Sequence, residues 1–539
     1  MKLRIQPGLV VRCAAISAAL STGVLSYALA ASSNAAMAAA CQNLTALDLP
    51  NAKVTAAEAV TGGKFHPAGA REEIENLPPF CRVRVVVRPT INVEIWMPLS
   101  GWNGKLLGTV PGGTLGSITY GDTVKDLKAP TNGIGVAGLA NGIQLGYAMM
   151  STDAGHVSAD TTWWNDMLRF TDLAYRGTHE MAVKGKIVTA AFYAQQPSRT
   201  YFSSCSGGGR VALMEAQRYP EDFDGIIGGH PGNNWTNLMA SELWSTRATT
   251  DKPENNLPTE KTKMITTAAI AHCDADDGLK DGIISNPAVC KFDPGVLQCK
   301  GGDGPDCLTE GQVEAVRKIY AGPKYPDGRR ISYGLLPGSE SGWGAKYTGI
   351  KDVNTQGGVA DRLFIKLSVM NDMNYDLKTF DWNRDMDFMQ EKTAAAIDAV
   401  NPDLSGFRDA GGKLIVFYGW ADDLAPPQQN PDYYESVVKK HGSRAEVENF
   451  YRLFMVPGMG HCSGGVGPNK FNMLTALENW SEKGQAPDQV VATRLDAAGK
   501  PDMTRPLCPW PQVAKYNGVG SPNDAKNFYC TATSSVSNK

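Results

Sequence analysis

The sequence predicts an α/β protein whose sheet is interrupted by one long insertion. Three observations carry this. Short Val/Ile-rich runs alternate with helix-length segments between residues 82 and 228, and such alternation builds α/β sheets. The pattern breaks after Trp235, and Gly/Pro clusters, four cysteines and scattered helical stretches follow to about Asp403. It then returns at Gly412.

In chain order, Arg82–Met97 is an alternating run that reads as two paired strands, with Pro89 near the turn. Lys105–Val110 and Tyr147–Ser151 read as short buried strands, and Thr171–Tyr193 as a helix. Thr200–Ser203 is a strand, Gly208–Arg218 a helix and Asp224–Gly228 a strand. Inside the insertion one helix is well marked: Thr309 caps it, Gln312 completes a capping box, and Val313, Val316 and Ile319 share a face before Gly322 ends it. Lys413–Tyr418 and Tyr451–Val456 complete the strands. The expected organisation is a scaffold of residues 41–234 and 404–539 carrying an insertion, 235–403. Loops on a rigid scaffold commonly cover and shape a site.

With 539 residues, 42% of them hydrophobic, the chain can bury a large core. A formal net charge of −3 supplies no basic field for nucleic acid or anionic lipid. Residues 1–40 read as a signal peptide. Lys2, Arg4 and Arg12 precede an apolar small-residue run from Cys13 to Ala30, and Ala-x-Ala sites occur at Ala28–Ala30 and Ala38–Ala40. A single membrane anchor is the competing reading, but the run is alanine-rich and shorter than the roughly 20 apolar residues a span prefers. The expected destination is the periplasm or the exterior.

Ten cysteines follow the leader, and an even number in an exported chain suggests disulfides. A metal cluster is the alternative, and no CxxC pair occurs. Short loops close most easily, which favours Cys273–Cys290, Cys299–Cys307 and Cys508–Cys530.

Chemistry is concentrated in three stretches. In TYFSSCSGGGR, from Thr200 to Arg210, a strand ends at Ser206 and a Gly-rich turn leads into a helix. A nucleophilic serine needs such a turn, and the helix N-terminus offers N–H groups to an oxyanion. Ser204 occupies the first Gly position of G-x-S-x-G, so the plain motif is broken. In VPGMGHCSGG, His461 follows a strand and is followed by Cys462, as Ser206 is preceded by Cys205. Were Cys205 and Cys462 bonded, their Cα atoms would be roughly 5.5–6 Å apart, and Ser206 and His461 could not be far from each other. In FYGWADDLAPP, Asp422 and Asp423 are both candidates for the carboxylate that orients the imidazole.

These residues resemble the tannase and feruloyl esterase family of α/β-hydrolases, which includes mono(hydroxyethyl) terephthalate hydrolase. The similarity runs from Cys41 to Cys530 and includes GGR…QRYPEDFDGI after the serine. It implies an α/β-hydrolase fold with a large inserted lid domain and a Ser206–His461–Asp422 triad. The aspartate turn Gly419–Asp422 favours Asp422 over Asp423. The resemblance implies an oxyanion hole from the N–H groups of Gly207 and, in VPGGTLGS, Gly113. It implies five disulfides: Cys41–Cys81, Cys205–Cys462, Cys273–Cys290, Cys299–Cys307 and Cys508–Cys530. It also implies a structural calcium ion in CDADDGLKDGIISNPAVC, held by Asp274, Asp277 and Asp281 side chains and Leu279 and Ile283 carbonyls. Carboxylates and glycines at that spacing suit a hard cation, although no Glu stands at the twelfth position of an EF-hand.

Three features depart from the family pattern. Ser204 replaces Gly, His230 in GGHPG stands where relatives usually have Ala, and Gly334–Met370 is shorter than in the terephthalate hydrolase and lacks its carboxylate-reading Arg and Phe. The expected function is a secreted serine esterase that cleaves hydroxycinnamate or gallate esters through an acyl-enzyme. Trp343, Tyr347, Phe364 and Tyr375 are expected either against the acyl ring or in the core. The alternatives are a terephthalate monoester hydrolase, or a non-catalytic, calcium-stabilised extracellular binding protein.

Overall fold

The computed structural model describes residues 34–68, 70–127 and 131–532. Most of the expected leader, including Lys2, Arg4, Arg12 and the Ala28–Ala30 site, lies outside these residues. Residues 34–43 are helical and carry Cys41, which is bonded to Cys81.

Ten strands form the central sheet: β1 (Asp48–Leu49), β2 (Ala52–Val60), β3 (Phe80–Val87), β4 (Ile91–Pro98), β5 (Lys105–Gly108), β6 (Ala148–Thr152), β7 (Arg199–Cys205), β8 (Gly225–Gly229), β9 (Lys413–Gly419) and β10 (Tyr451–Val456). Their spatial order is β1-β2-β3-β4-β6-β5-β7-β8-β9-β10. The first four run antiparallel and β4 pairs antiparallel with β6, whereas β6-β5-β7-β8-β9-β10 is parallel throughout. Burial follows this division. The antiparallel β3 alternates in exposure along Cys81–Val87. The parallel β9 is buried from Leu414 to Gly419 and is apolar from Leu414 to Tyr418, because helices cover both faces of a parallel sheet. The predicted strand pair at Arg82–Met97 is β3 and β4, joined across Pro89. The other predicted strands are β5 to β10, with ends shifted by one or two residues.

Helices α1 (Gly177–Tyr193) and α2 (Gly207–Arg218) pack against the parallel half. Residues 230–412, all described, add no strand to the central sheet. They include α3 (Trp235–Thr250), α4 (Thr262–Cys273) and α5 (Glu310–Ala321), and the Thr309/Gln312 capping box of α5 is formed as predicted. Residues between Ala248 and Tyr347 gather a separate apolar cluster around Trp343, Ile265 and Val316. Phe364, Ile365 and Val369, in contrast, join the main core. Helices α6 (Gln429–His441) and α7 (Met473–Lys483) flank the last strands. The five disulfides are those the family resemblance implied. No helix among the described residues is long and apolar enough to cross a membrane.

The parallel arrangement aligns the C-terminal ends of β7, β8, β9 and β10, with Cys205 beside Gly229, Gly229 beside Phe417, and Gly419 beside Val456. Ligand sites of open α/β sheets form at this edge. Each of these strands is followed within a few residues by a chemistry-bearing side chain: Ser206, His230, Asp422 and His461.

Candidate active site

Ser206 directly follows β7, at φ +64°, and stands at the N-cap of α2 without a side-chain bond to the helix. Its N–H donates to the Gly229 carbonyl at 2.8 Å. A non-glycine residue in this region of backbone space is strained, and such strain clusters at functional turns. The following glycines are required by space: a Cβ on Gly207 would collide with the Gly113 carbonyl oxygen, and one on Gly208 with the Ser204 hydroxyl. The Ser204 hydroxyl donates to the Val110 carbonyl at 2.6 Å. The serine that breaks the G-x-S-x-G motif therefore ties the Val110–Gly113 loop to β7, the strand that leads into Ser206.

The Ser206 Oγ lies 2.8 Å from His461 Nε2, and His461 Nδ1 lies 2.8 Å from Asp422 Oδ2. Cys205 and Cys462 are bonded with Cα atoms 6.1 Å apart. Asp422 is fully buried, and its Oδ1 accepts the Leu424 and Ala425 N–H groups at 2.8 and 2.9 Å. Asp423 pairs through Oδ2 with Lys346 Nζ at 2.9 Å, and its Oδ1 accepts the His461 backbone N–H at 3.4 Å, so it does not meet the imidazole. Of the two aspartates, it is Asp422, the one the family resemblance favours, that bonds the His461 imidazole. Burial alone would push the Asp422 carboxyl up, but the charge and N–H bonds of the two histidines beside it hold it well below the usual carboxylate range. Burial alone would lower His461, but Asp422 outweighs it and raises the imidazole above its ordinary value.

Gly207 is the first residue of α2, where N–H groups have no intrahelical acceptor. Gly113, at φ +60°, faces Gly207 across the site, and the position a Cβ would take on Gly112 is 3.7 Å from Ser206 Oγ. A cavity of about 290 Å³ opens beside Ser206 and His461. Its apolar wall comprises Trp235, Leu238, Met239, Val359, Ala360 and Leu424, and Glu242 and Lys346 add polar groups. Burial pushes the Glu242 carboxyl up, with Asp361 adding to the effect and Lys346 opposing it. Asp361 is pushed up to about 7, chiefly by burial. Trp343, Tyr347 and Phe364 are buried in the apolar clusters, Tyr375 packs at the edge of the main core, and the aromatic ring on the cavity is Trp235. Periodicity cannot distinguish a core ring from a pocket ring, and the position of Trp235 at the start of α3 just beyond β8 was the available signal.

Sequence reasoning left His230 without a role. The structure buries it completely, with Nδ1 2.7 Å from Asp422 Oδ2 and Nε2 accepting the Gly419 N–H at 3.2 Å.

In the Cys273–Cys290 loop, Asp274 Oδ1 accepts the N–H groups of Asp281, Gly282 and Ile283 at 3.1, 3.0 and 3.2 Å. Asp277 accepts the Leu279 N–H and the Ser285 hydroxyl at 2.9 and 2.6 Å, and Asp281 Oδ2 pairs with Arg505 at 2.6 Å. Burial, Asp277 and Asp274 all raise the Asp281 carboxyl, against the pull of Arg505. An all-oxygen set of mutually repelling carboxylates suits a hard divalent cation. In this conformation they are held by loop N–H groups and Arg505, and the sets of three ligand atoms within 4.8 Å among the described residues lie elsewhere.

The family model of tannase and feruloyl esterase matches residues 79–531. A probable feruloyl esterase of Arthroderma benhamiae is 34% identical, over 82% of this chain and 83% of its own. The mono(2-hydroxyethyl) terephthalate hydrolase of Piscinibacter sakaiensis is 31% identical, over 82% and 81%. Among solved structures, feruloyl esterase B from Aspergillus oryzae superposes with a TM-score of 0.83 at 27% identity, covering 92% of this chain and 100% of that one.

Proposed function

The chain belongs to the tannase and feruloyl esterase family and is a carboxylic ester hydrolase, and on that premise we propose that it cleaves hydroxycinnamate or gallate esters by Ser-His-Asp acyl transfer. The continuous hydrogen-bonded line from Ser206 Oγ through His461 to Asp422 carries this reading. The acceptor position of Nε2 leaves the His461 proton on Nδ1, where Asp422 holds it. His461 takes the Ser206 proton as Oγ attacks the ester carbonyl, and returns a proton to the departing alcohol. The Gly207 and Gly113 N–H groups stabilise the tetrahedral oxyanion. Water, activated by His461, then releases the acid.

Trp235 and the aliphatic wall suit an aromatic ring, and Glu242, whose carboxyl is pushed up by burial, suits a neutral phenol rather than a second carboxylate. That pairing favours feruloyl or galloyl groups over a terephthalate monoester. The non-catalytic binding protein is set aside, because the chain is an ester hydrolase. Residues 235–403 act as the inserted lid, supported by the cavity wall they contribute. The leader at 1–40 directs export, and five disulfides accord with an oxidising compartment. Asp274, Asp277 and Asp281 carboxylates, with Leu279 and Ile283 carbonyls, hold a structural calcium ion, which would offset the repulsion among the three acids.

The test is a panel of methyl ferulate, methyl gallate and mono(hydroxyethyl) terephthalate, with the free acid measured by chromatography. Ferulate or gallate should be released fastest. A protein that leaves all three esters intact would overturn the substrate assignment.

A further inference from the structure

Asp422 accepts from two imidazoles, not one. His461 Nδ1 and His230 Nδ1 lie 2.8 and 2.7 Å from the same oxygen, Oδ2, while Oδ1 takes two backbone N–H groups. The tautomer of each ring follows from its other nitrogen. The Gly419 N–H must donate to His230 Nε2, so the His230 proton is on Nδ1 and points at Asp422. The Ser206 hydroxyl donates to His461 Nε2, which puts the His461 proton on Nδ1 as well. The trio also has metal-ligand spacing, but with both Nδ1 atoms protonated and both Nε2 atoms engaged, neither ring has a lone pair free for a cation. His230 stays neutral: burial outweighs the pull of Asp422 and lowers its affinity for a second proton.

Its placement is built in. His230 follows β8 directly at φ +43°, its N–H donates to the Phe417 carbonyl at 2.8 Å, and its ring stacks on Tyr418 at 4.7 Å. A Cβ at Gly419 would lie 2.8 Å from its Cε1, so the glycine makes room for the ring. Two adjacent strands, β8 and β9, therefore clamp a neutral donor onto the carboxylate behind the catalytic base.

We propose that His230 is a positioning residue whose Nδ1–H holds Asp422 in the orientation that meets His461 and, by sharing Oδ2, tempers how strongly Asp422 supports a proton on His461. A carboxylate oxygen divided between two donors gives less to each than one serving a single donor. The other titratable or charged groups facing this assembly are Asp423, Lys346, Glu242, Tyr347 and Tyr418; the Tyr418 hydroxyl, which donates to the Ala425 carbonyl at 3.2 Å, also lies within hydrogen-bonding reach of the Asp422 carboxylate, so the two imidazoles are its closest side-chain donors but Tyr418 adds to them. The inference rests on the Ser206–His461–Asp422 reading.

Three variants test it, each followed by kcat/KM against pH on methyl ferulate or whichever panel ester is turned over. H230N keeps a donor near the Nδ1 position and tolerates positive φ. H230Q keeps side-chain volume and a polar atom near Nε2 but has no donor at Nδ1. H230A removes both. In H230A and H230Q the acid limb should move up by about 0.5–1 pH unit, because Asp422 then serves His461 alone. Their kcat should fall on the order of tenfold as Asp422 loses its support. H230N should keep the wild-type limb. Should H230A fail to fold, the Asn/Gln pair still decides. A limb at the wild-type pH in H230Q or H230A, whatever the loss of kcat, would reduce His230 to packing and overturn the inference. S206A separates the two failures: if S206A is inactive while the limb does not move, only the role of His230 falls, and if S206A is active, the underlying mechanism falls with it.

Discussion

The double variant C205A/C462A removes the covalent link behind Ser206 and His461. The bond joins residues 257 apart in sequence. In the chain-entropy treatment, closing a loop of that size constrains the unfolded chain by about 5–6 kcal/mol, comparable to the whole net stability of many domains. Unfolding entropy of about 2 cal/mol/K per residue over some 500 residues gives about 1 kcal/mol/K, so the melting temperature should fall by about 5 °C. The kinetic effect is separable. Cys462 sits at φ +58°, next to the histidine whose Nε2 is 2.8 Å from Ser206 Oγ. Freed from Cys205, that turn can relax, and a displacement of about 1 Å at the reacting atoms costs on the order of 10²-fold in rate. Calorimetry reports the first effect. Initial rates of ester hydrolysis at 25 °C, where the fold persists, report the second. A double variant with wild-type kcat/KM would show that the sheet edge alone holds Ser206 against His461, and the positional reasoning would be refuted.

Two further outcomes follow from the site and the acidic loop. In the proposed mechanism His461 works as a base only when neutral, so activity is expected to fall as pH drops through its pKa, and Asp422 raises that pKa above the ordinary imidazole value. D422N should therefore move the acid limb of kcat/KM to lower pH and cut kcat by roughly 10⁴-fold, the cost of the equivalent change in a Ser-His-Asp triad; a limb that stays in place would dissociate Asp422 from the base. Calcium at about 100 times its dissociation constant should stabilise the wild type by about 2.7 kcal/mol, seen as a rise of a few degrees in melting temperature that D274N/D277N abolishes. Identical melting curves with calcium and with chelator would exclude a calcium ion at Asp274, Asp277 and Asp281.

The Ser–His couple was legible because two adjacent-residue facts, Cys205–Ser206 and His461–Cys462, combine into one distance once the cysteines bond. The strands were legible because parallel strands buried on both faces, such as β9, are continuous apolar runs. Composition and spacing left Asp422 and Asp423 open, and only the family resemblance favoured Asp422, since the choice depends on which of two neighbours turns inward to the Leu424 and Ala425 N–H groups and which reaches Lys346, 77 residues away in sequence. His230 was visible as an odd residue but not as a partner of Asp422, because 192 residues separate them and it is the parallel pairing of β8 with β9, ending with Gly229 beside Phe417, that brings them together. The pocket wall was the least legible part. Trp235 and Glu242 lie on α3, and the aromatic residues of the insertion with the clearest apolar signal, Trp343 and Phe364, are spent on packing.

In the proposed mechanism Ser206 carries the acyl group. Intact-protein and peptide mass spectrometry after reaction with a fluorophosphonate tests it most directly. One adduct per chain is expected, on the peptide containing Ser206, with ester hydrolysis lost in step with labelling, and neither adduct nor hydrolysis in a folded S206A variant. An adduct on another residue, or an S206A protein that still hydrolyses the ester, would contradict it.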